Sequence, residues 1–313
     1  MTEVVTLGET MAAFRAEGLV RSAHHAAVSV AGSEGNVAVG LARLGHRVRW
    51  VGCVGDDGLG RLVRRTYAAE SIDVSCVRVD PHAPTGILVS ERRMGGVSTV
   101  DYHRRGSAGT LVTESDVVDA LACRPQIFHA SGITPALGER CAAAVTAGMR
   151  EARRRGATVT FDVNYRARLW SEEAARQALG PLLGTVDVVI GDSAELAVLV
   201  PGADDESRVR ALFDLGVSQV VIKQGRLGAT AFLPHRSVHA EAFSVPEVDP
   251  IGAGDAFVAG YLSGRLERLS LEDQLVRANM LGAFAVSTPG DWEGLPTRDE
   301  LRLLSGAPGD VVR

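Results

Sequence analysis

The sequence predicts an α/β fold, a mostly parallel sheet covered by helices, and three observations carry that prediction. Short apolar runs bounded by turns alternate with amphipathic patterns of helical length along most of the chain. Two segments, about 11–31 and Thr85–Arg105, break this rhythm and alternate in strand fashion with no helix between. The 313 residues, 46% hydrophobic and 23% charged, are enough to bury the large core that such a sheet needs.

Taken in order, Val4–Leu7, Val48–Val54, Gln126–Ala130, Thr158–Asp162, Val186–Ile190 and Gln219–Lys223 read as buried strands. Glu34–Leu44, Leu59–Glu70, Glu114–Leu121, Gly138–Arg155, Glu172–Leu183 and Ser207–Leu215 read as the helices between them. Such alternation argues for βαβ units. In the first break MAAFRAEG and AAVSVAG are strand-like; in the second, TGILVSERR and VSTVDYHRR flank a turn at Gly95-Gly96. The two hairpin-like insertions can pair into one small sheet over the main domain. No linker, low-complexity tract or repeat divides the chain, so one domain over 1–313 is expected.

A net charge of −5 and 5% aromatics leave no basic stripe with stacking rings, which argues against a nucleic-acid partner. The opening MTEVVTLGET lacks the pattern of a secretory signal, and no uncharged apolar run nears the roughly 18–20 residues that span a bilayer. Cys53, Cys76, Cys123 and Cys141 are scattered without a Cys-x-x-Cys pair. A cytoplasmic protein with reduced thiols and no membrane partner is the expectation.

Asp249-Pro-Ile251-Gly252-Ala253-Gly254-Asp255-Ala-Phe257, followed by the helical VAGYLSGRLE, is the most informative stretch. Its glycines let main-chain N–H groups approach an anion, and the helix start adds unpaired amides and a positive dipole end. A carboxylate does not bind phosphate; Asp255 beside such a cradle makes sense as a base that takes a proton from an attacking hydroxyl. The alternative is a glycine-rich turn with an Asp N-cap. Phe257 at the third glycine position excludes a dinucleotide fingerprint, and the absence of any Gly-Lys dipeptide excludes a P-loop.

DPIGAGDAF resembles the carboxyl-terminal signature of the ribokinase-like (PfkB) carbohydrate kinases. Three further stretches match in order: Ala31-Gly32-Ser-Glu-Gly35-Asn36-Val-Ala resembles the amino-terminal signature, VGCVGDDGLG (51–60) the strand and turn after it, and Ile222-Lys223-Gln-Gly225-Arg-Leu-Gly228 the nucleotide-side motif. Ala31-Gly32 stands where the family usually has two glycines, Pro250 where threonine is more frequent, and Asp192 where the Asn-x-x-Glu motif has asparagine, although Glu195 is present. The resemblance implies a ribokinase-like three-layer α/β/α fold with a small β lid from insertions at about 11–31 and 85–107. It also implies an ATP-dependent sugar kinase. Asp255 would then be the general base, with an ordinary carboxyl pKa near 4, and Gly252, Ala253 and Gly254 would supply the anion-hole amides. Lys223, Gly225, Gly228 and Asn279 would border the nucleotide. A solvated strand end is the alternative for Lys223, and an exposed helical amide for Asn279. Magnesium would be held through water by Glu195 and Asp192, and a monovalent cation such as potassium by Asp249 and the Ile251 carbonyl.

Tyr102-His-Arg104 and Asp162-Val-Asn164-Tyr-Arg166-Ala-Arg-Leu-Trp170 resemble the 2-keto-3-deoxygluconate kinase branch. There the resemblance implies that Tyr102, Arg104 and Arg166 contact the substrate, with Gly32, Gly35, Asn36, Ile133 and Asp291 nearby. A sugar acid needs a cation matched to its carboxylate, and arginine supplies a planar fork. The alternative for either arginine is pairing with a neighbouring carboxylate. The implied reaction gives the 6-phosphate of that sugar acid. Fructokinase or another neutral-sugar kinase is the nearest alternative, and a non-catalytic sugar- or nucleotide-binding regulator a more distant one. A homodimer through the lid sheets is the family-based expectation.

Overall fold

Residues 2–92 and 98–305 are described by the computed structural model. In chain order β1 (Val4–Leu7), β2 (Met11–Ala16) and β3 (Ala27–Ala31) lead into α1 (Ser33–Arg43). Then follow β4 (Val48–Val51), β5 (Cys53–Gly55), α2 (Gly58–Ala69), β6 (Arg78–Asp80), β7 (Ile87–Arg92) and β8 (Ser98–His103). The middle holds α3 (Glu114–Ala120), β9 (Ile127–Ser131), α4 (Glu139–Arg154), β10 (Thr158–Asp162) and α5 (Glu172–Leu179). β11 (Val188–Gly191), α6 (Ser193–Leu199), α7 (Asp205–Asp214), β12 (Gln219–Lys223), β13 (Ala229–Leu233), β14 (Arg236–Ala240), α8 (Ala253–Leu266) and α9 (Leu271–Val286) complete it.

The main sheet runs β14-β13-β12-β11-β10-β9-β1-β4. Six strands are parallel; β13 and β14 close one edge antiparallel. Alternate residues feed two cores: Val4, Ile190 and Val221 pack with α1, α8 and α9, whereas Val5, Val189 and Val220 pack with α3, α4, α5, α6 and α7. Burial on both faces explains why these strands are continuous apolar runs rather than alternating ones. A second sheet, β3-β2-β7-β8, joins both insertions; β2 pairs antiparallel with β3 and parallel with β7. The expected Gly95-Gly96 turn lies outside the described residues.

Two expected elements are cut short. Val48–Val54 divides at Gly52, where a Cβ would stand 2.4 Å from the Trp50 ring and 2.7 Å from the Gly8 carbonyl. The chain turns there, and β5 leaves the main sheet to pair with β6. Glu172–Leu183 ends as α-helix at Leu179, because Pro181 lacks an N–H, and continues as a tighter turn over Gly180–Thr185.

Helix starts divide into two kinds. Asp57, Thr113, Ser171, Asp192, Asp204 and Ser270 cap α2, α3, α5, α6, α7 and α9 through side-chain oxygens. α1, α4 and α8 start instead at Gly32, Gly138 and Gly252 with no side-chain cap. Their first amides are left for other partners.

Candidate active site

The uncapped starts of α1 and α8 meet at Asp255, beside the carboxyl ends of the parallel strands, where open α/β sheets bind ligands. Asp255 is buried, and both its oxygens are engaged. Oδ1 accepts from Ser33 Oγ at 2.7 Å and Oδ2 from Asn36 Nδ2 at 2.7 Å. Asn164 Nδ2 donates to Ser33 Oγ at 2.8 Å and approaches Asp255 Oδ1 at 3.5 Å. Burial pushes the Asp255 carboxyl up to about 7; the Ser33 and Asn36 donors pull it back, Asp162 adds to the rise and Arg166 opposes it. The expected ordinary value near 4 is thereby corrected. The N-cap alternative is overturned as well, since Gly252 holds that position and Asp255 sits inside the helix.

Gly252 makes the turn possible. Its φ is +78°, and a Cβ there would lie 1.9 Å from the Asp291 carbonyl. The turn forms the wall between two cavities. One, of about 430 Å³, opens under the small sheet and is lined by Gly32, Asn36, Tyr102, Arg104, Ile133, Arg166, Ile251, Gly252, Asp255 and Asp291. The other, of about 460 Å³, is lined by Lys223, Gly225, Gly228, Ala253, Gly254 and Asn279. Gly35 lines neither: a Cβ there would overlap the Tyr67 hydroxyl, so it serves close packing behind α1.

Lys223 is no solvated strand end. Its Nζ lies 2.8 Å from Asp162 Oδ1 and 3.6 Å from Glu195 Oε2. Burial alone would depress its pKa; the two carboxylates outweigh that and raise it. Burial in turn raises Glu195, against the pull of Lys223. Glu195 also closes a capping box with Asp192, accepting from the Asp192 N–H at 2.9 Å while Asp192 Oδ1 accepts from the Glu195 N–H at 2.8 Å. Among the described residues no cluster of three or more His, Cys, Asp or Glu forms a metal cage. Two carboxylates around one ammonium still leave a negative surplus, and that donor set suits magnesium held mostly by water and phosphate. Asp249 shapes the turn, accepting from the Ile251 N–H at 3.2 Å and the Gly290 N–H at 3.4 Å.

Asn279 is not exposed. Its Nδ2 donates to the carbonyls of Ala240 and Glu241 at 2.9 and 3.0 Å, pinning the end of β14 beside the second cavity. The two arginines part company. Arg104 Nε donates to Glu9 Oε2 at 2.7 Å, and Ser107 Oγ to Glu9 Oε1 at 2.6 Å. The Arg104 guanidinium also lies 5.6 Å from the Tyr102 ring centre. Arg104 is therefore paired with a carboxylate while it also lines the first cavity. Arg166 donates only to the Tyr165 carbonyl, at 3.1 Å, and has no carboxylate within ion-pair distance among the described residues. Asp291 is clasped by Arg15 of β2 at 2.8 Å.

Sequence reasoning assigned no role to Ser33, Asn164, Glu9 or Arg15. Ser33 and Asn164 lie inside stretches singled out by their motifs; Glu9 and Arg15 carried no local signal, because their partners are remote in sequence.

Residues 1–298 match the pfkB family carbohydrate kinase pattern. The chain belongs to the pfkB family of carbohydrate kinases. It is 38% identical to 2-dehydro-3-deoxygluconokinase of Thermoproteus tenax over 97% of this chain and 94% of that protein. It is 35% identical to the Bacillus subtilis (strain 168) enzyme of the same name, over 99% and 97%. A Klebsiella pneumoniae fructokinase is 33% identical over 87% and 90%. The crystal structure of a putative ribokinase II from E. coli in complex with ATP and Mg²⁺ superposes with a TM-score of 0.89 at 25% identity, covering 97% of this chain and 99% of that one. The fold is ribokinase-like, with the mostly parallel sheet between two helical layers. As in this family generally, the substrate must be argued from the site. Among the described residues no helix is long and apolar enough to cross a membrane.

Proposed function

We propose that this kinase transfers the γ-phosphate of ATP to 2-keto-3-deoxygluconate (2-dehydro-3-deoxygluconate), giving the 6-phosphate. The observation that carries the reading is the position of Asp255 and the 252–254 turn in the wall between two cavities. A hydroxyl entering from the first cavity meets the carboxylate; a phosphoryl group entering from the second meets the turn.

Asp255 takes the proton of the attacking hydroxyl as the oxygen–phosphorus bond forms. Oriented by Ser33 and Asn36, the carboxylate needs no rearrangement to act. The amides of Gly252, Ala253 and Gly254, with the start of α8, stabilise charge on the transferring group. Lys223, Gly225 and Gly228 border the nucleotide, with Asn279 fixing the adjoining wall. Glu195 and Asp192 would hold magnesium through water, and the ion would supply neutralising charge to the phosphates. A monovalent cation such as potassium would draw on Asp249 and the Ile251 carbonyl. The unpaired guanidinium of Arg166 and the two 2-dehydro-3-deoxygluconokinases among the relatives favour a sugar acid over fructose. Tyr102, Ile133, Asn36, Gly32 and Asp291 complete the acceptor site.

The exposed Val28 and Tyr102 of the small sheet support its use as a lid and as a homodimer face. All four cysteines are free thiols, the state that a reducing cytoplasm maintains. A coupled ADP assay with ATP, magnesium and a panel of sugars and sugar acids tests the reading. The highest kcat/KM is expected for 2-keto-3-deoxygluconate. Preference for fructose would replace it with the neutral-sugar alternative, and no sugar-dependent ADP release would leave a binding protein.

A further inference from the structure

We propose that Arg168 is a second specificity-determining residue of the acceptor cavity, donating to the carboxylate of the sugar acid alongside Arg166. The inference rests on the sugar-acid reading above and extends it to a residue to which the motif around Arg166 assigns no role.

The charges around the cavity argue for it. Arg104 is closed by Glu9, and Asp291 by Arg15. The segment that lines the opposite wall carries Arg166 and Arg168, both exposed. Neither has a carboxylate within ion-pair distance among the described residues. Two guanidinium groups that line one cavity without an ion-pair partner favour an anionic ligand there. A neutral sugar offers no negative charge; a carboxylate does.

Arg168 is also held ready. Its Nη1 donates to the Val100 carbonyl of β8 at 2.9 Å, so the side chain reaches from the loop after β10 to the small sheet. Val100 and Arg168 both line the cavity. A guanidinium has five N–H donors. One nitrogen anchored on a main-chain acceptor leaves the others free, and a side chain already ordered loses less entropy on binding.

The test compares the parent enzyme with Arg168→Ala, Arg168→Lys and Arg166→Ala, all checked for an unchanged melting temperature. KM and kcat are measured for 2-keto-3-deoxygluconate, and inhibition constants for fructose as a neutral competitor. Arg168→Ala is expected to raise KM for the acid about tenfold or more, the worth of a charge-assisted hydrogen bond. Its kcat should stay within about twofold, and the fructose constant should not move. Arg168→Lys should fall between, with charge kept and the fork lost. An unchanged KM for the acid in Arg168→Ala, or equal weakening for acid and fructose, overturns the proposal. If KM rises in Arg166→Ala but not in Arg168→Ala, the proposal fails while the sugar-acid reading stands. A parent enzyme that prefers a neutral sugar overturns both.

Discussion

Asp255→Asn exchanges an ionisable group for a neutral one of the same shape, at a site where burial moves the carboxyl from 3.8 to about 7. About three pKa units correspond to ~4 kcal/mol. The sign follows from proton binding. Between about pH 4 and 7 the folded chain keeps a proton on Asp255 that the unfolded chain has released. Folding stability from this group therefore declines as pH rises through that window, and the full penalty is present above about pH 7. Asparagine carries no such penalty, but its amide nitrogen must face either the Ser33 hydroxyl or the Asn36 amide, a fixed loss at every pH. The difference in stability between variant and parent should thus swing in favour of the variant by up to ~4 kcal/mol between pH 4 and pH 8, read as a several-degree change in the gap between their melting temperatures. Activity should show the opposite preference. The parent's kcat/KM should have an acidic limb with a midpoint near 7, falling about tenfold from its plateau by pH 6, while the variant loses about a hundredfold or more throughout. Scanning calorimetry at several pH values and initial rates across the same range provide both readings. A melting gap that does not vary with pH, together with a flat rate profile from pH 6 to 8, would refute the reasoning.

Three further perturbations test neighbouring groups. Ser33→Ala removes a donor to the ionised base, so the acidic limb should move up by about half a unit to one unit; Ser33→Thr should restore it, and an unmoved limb counts against the assigned role. Gly252→Ala places a methyl 1.9 Å from the Asp291 carbonyl at a φ of +78°; kcat should fall about a hundredfold or more, and parent-like turnover would show that the turn does not position the phosphoryl group. Lys223→Met leaves Asp162 and Glu195 without their ammonium, which should cost about 3–5 kcal/mol in urea unfolding and raise KM for ATP; a change in neither would remove Lys223 from the nucleotide wall.

Much of the main sheet was legible because its strands are buried on both faces. Val4–Leu7, Thr158–Asp162 and Gln219–Lys223 have the bounds read from their apolar runs. The division at Gly52 was not legible: its cause is the Trp50 ring folded back over the turn, which one glycine in an apolar run does not reveal. The edge strands β13 and β14 escaped because half-buried antiparallel strands lack the continuous pattern. Within the site, the motifs disclosed those residues whose main chain does the work, Gly252 and Gly254 above all. Side-chain partnerships were hidden. Ser33 meets Asp255 across 222 positions, and Glu9 meets Arg104 across 95. No local pattern encodes such meetings, or the burial that shifts Asp255. Gly35 illustrates the converse: its place in a signature suggested a position near the substrate, and the packing shows a Cβ there overlapping the Tyr67 hydroxyl.

The parallel pairing of β2 with β7 constrains how the molecule assembles. Ala12 lies beside Ile87, and α1, β4, β5, α2 and β6 all intervene. The hairpin of β2 and β3 lacks its second neighbour until that whole stretch has been made and ordered, so closing the small sheet demands a long loop. During synthesis the roof of the acceptor cavity is then a late arrival, completed only after its supporting framework exists. A nascent chain released before β7 would carry the glycine-led start of α1 but not that of α8, and would have no chamber in which to select a sugar.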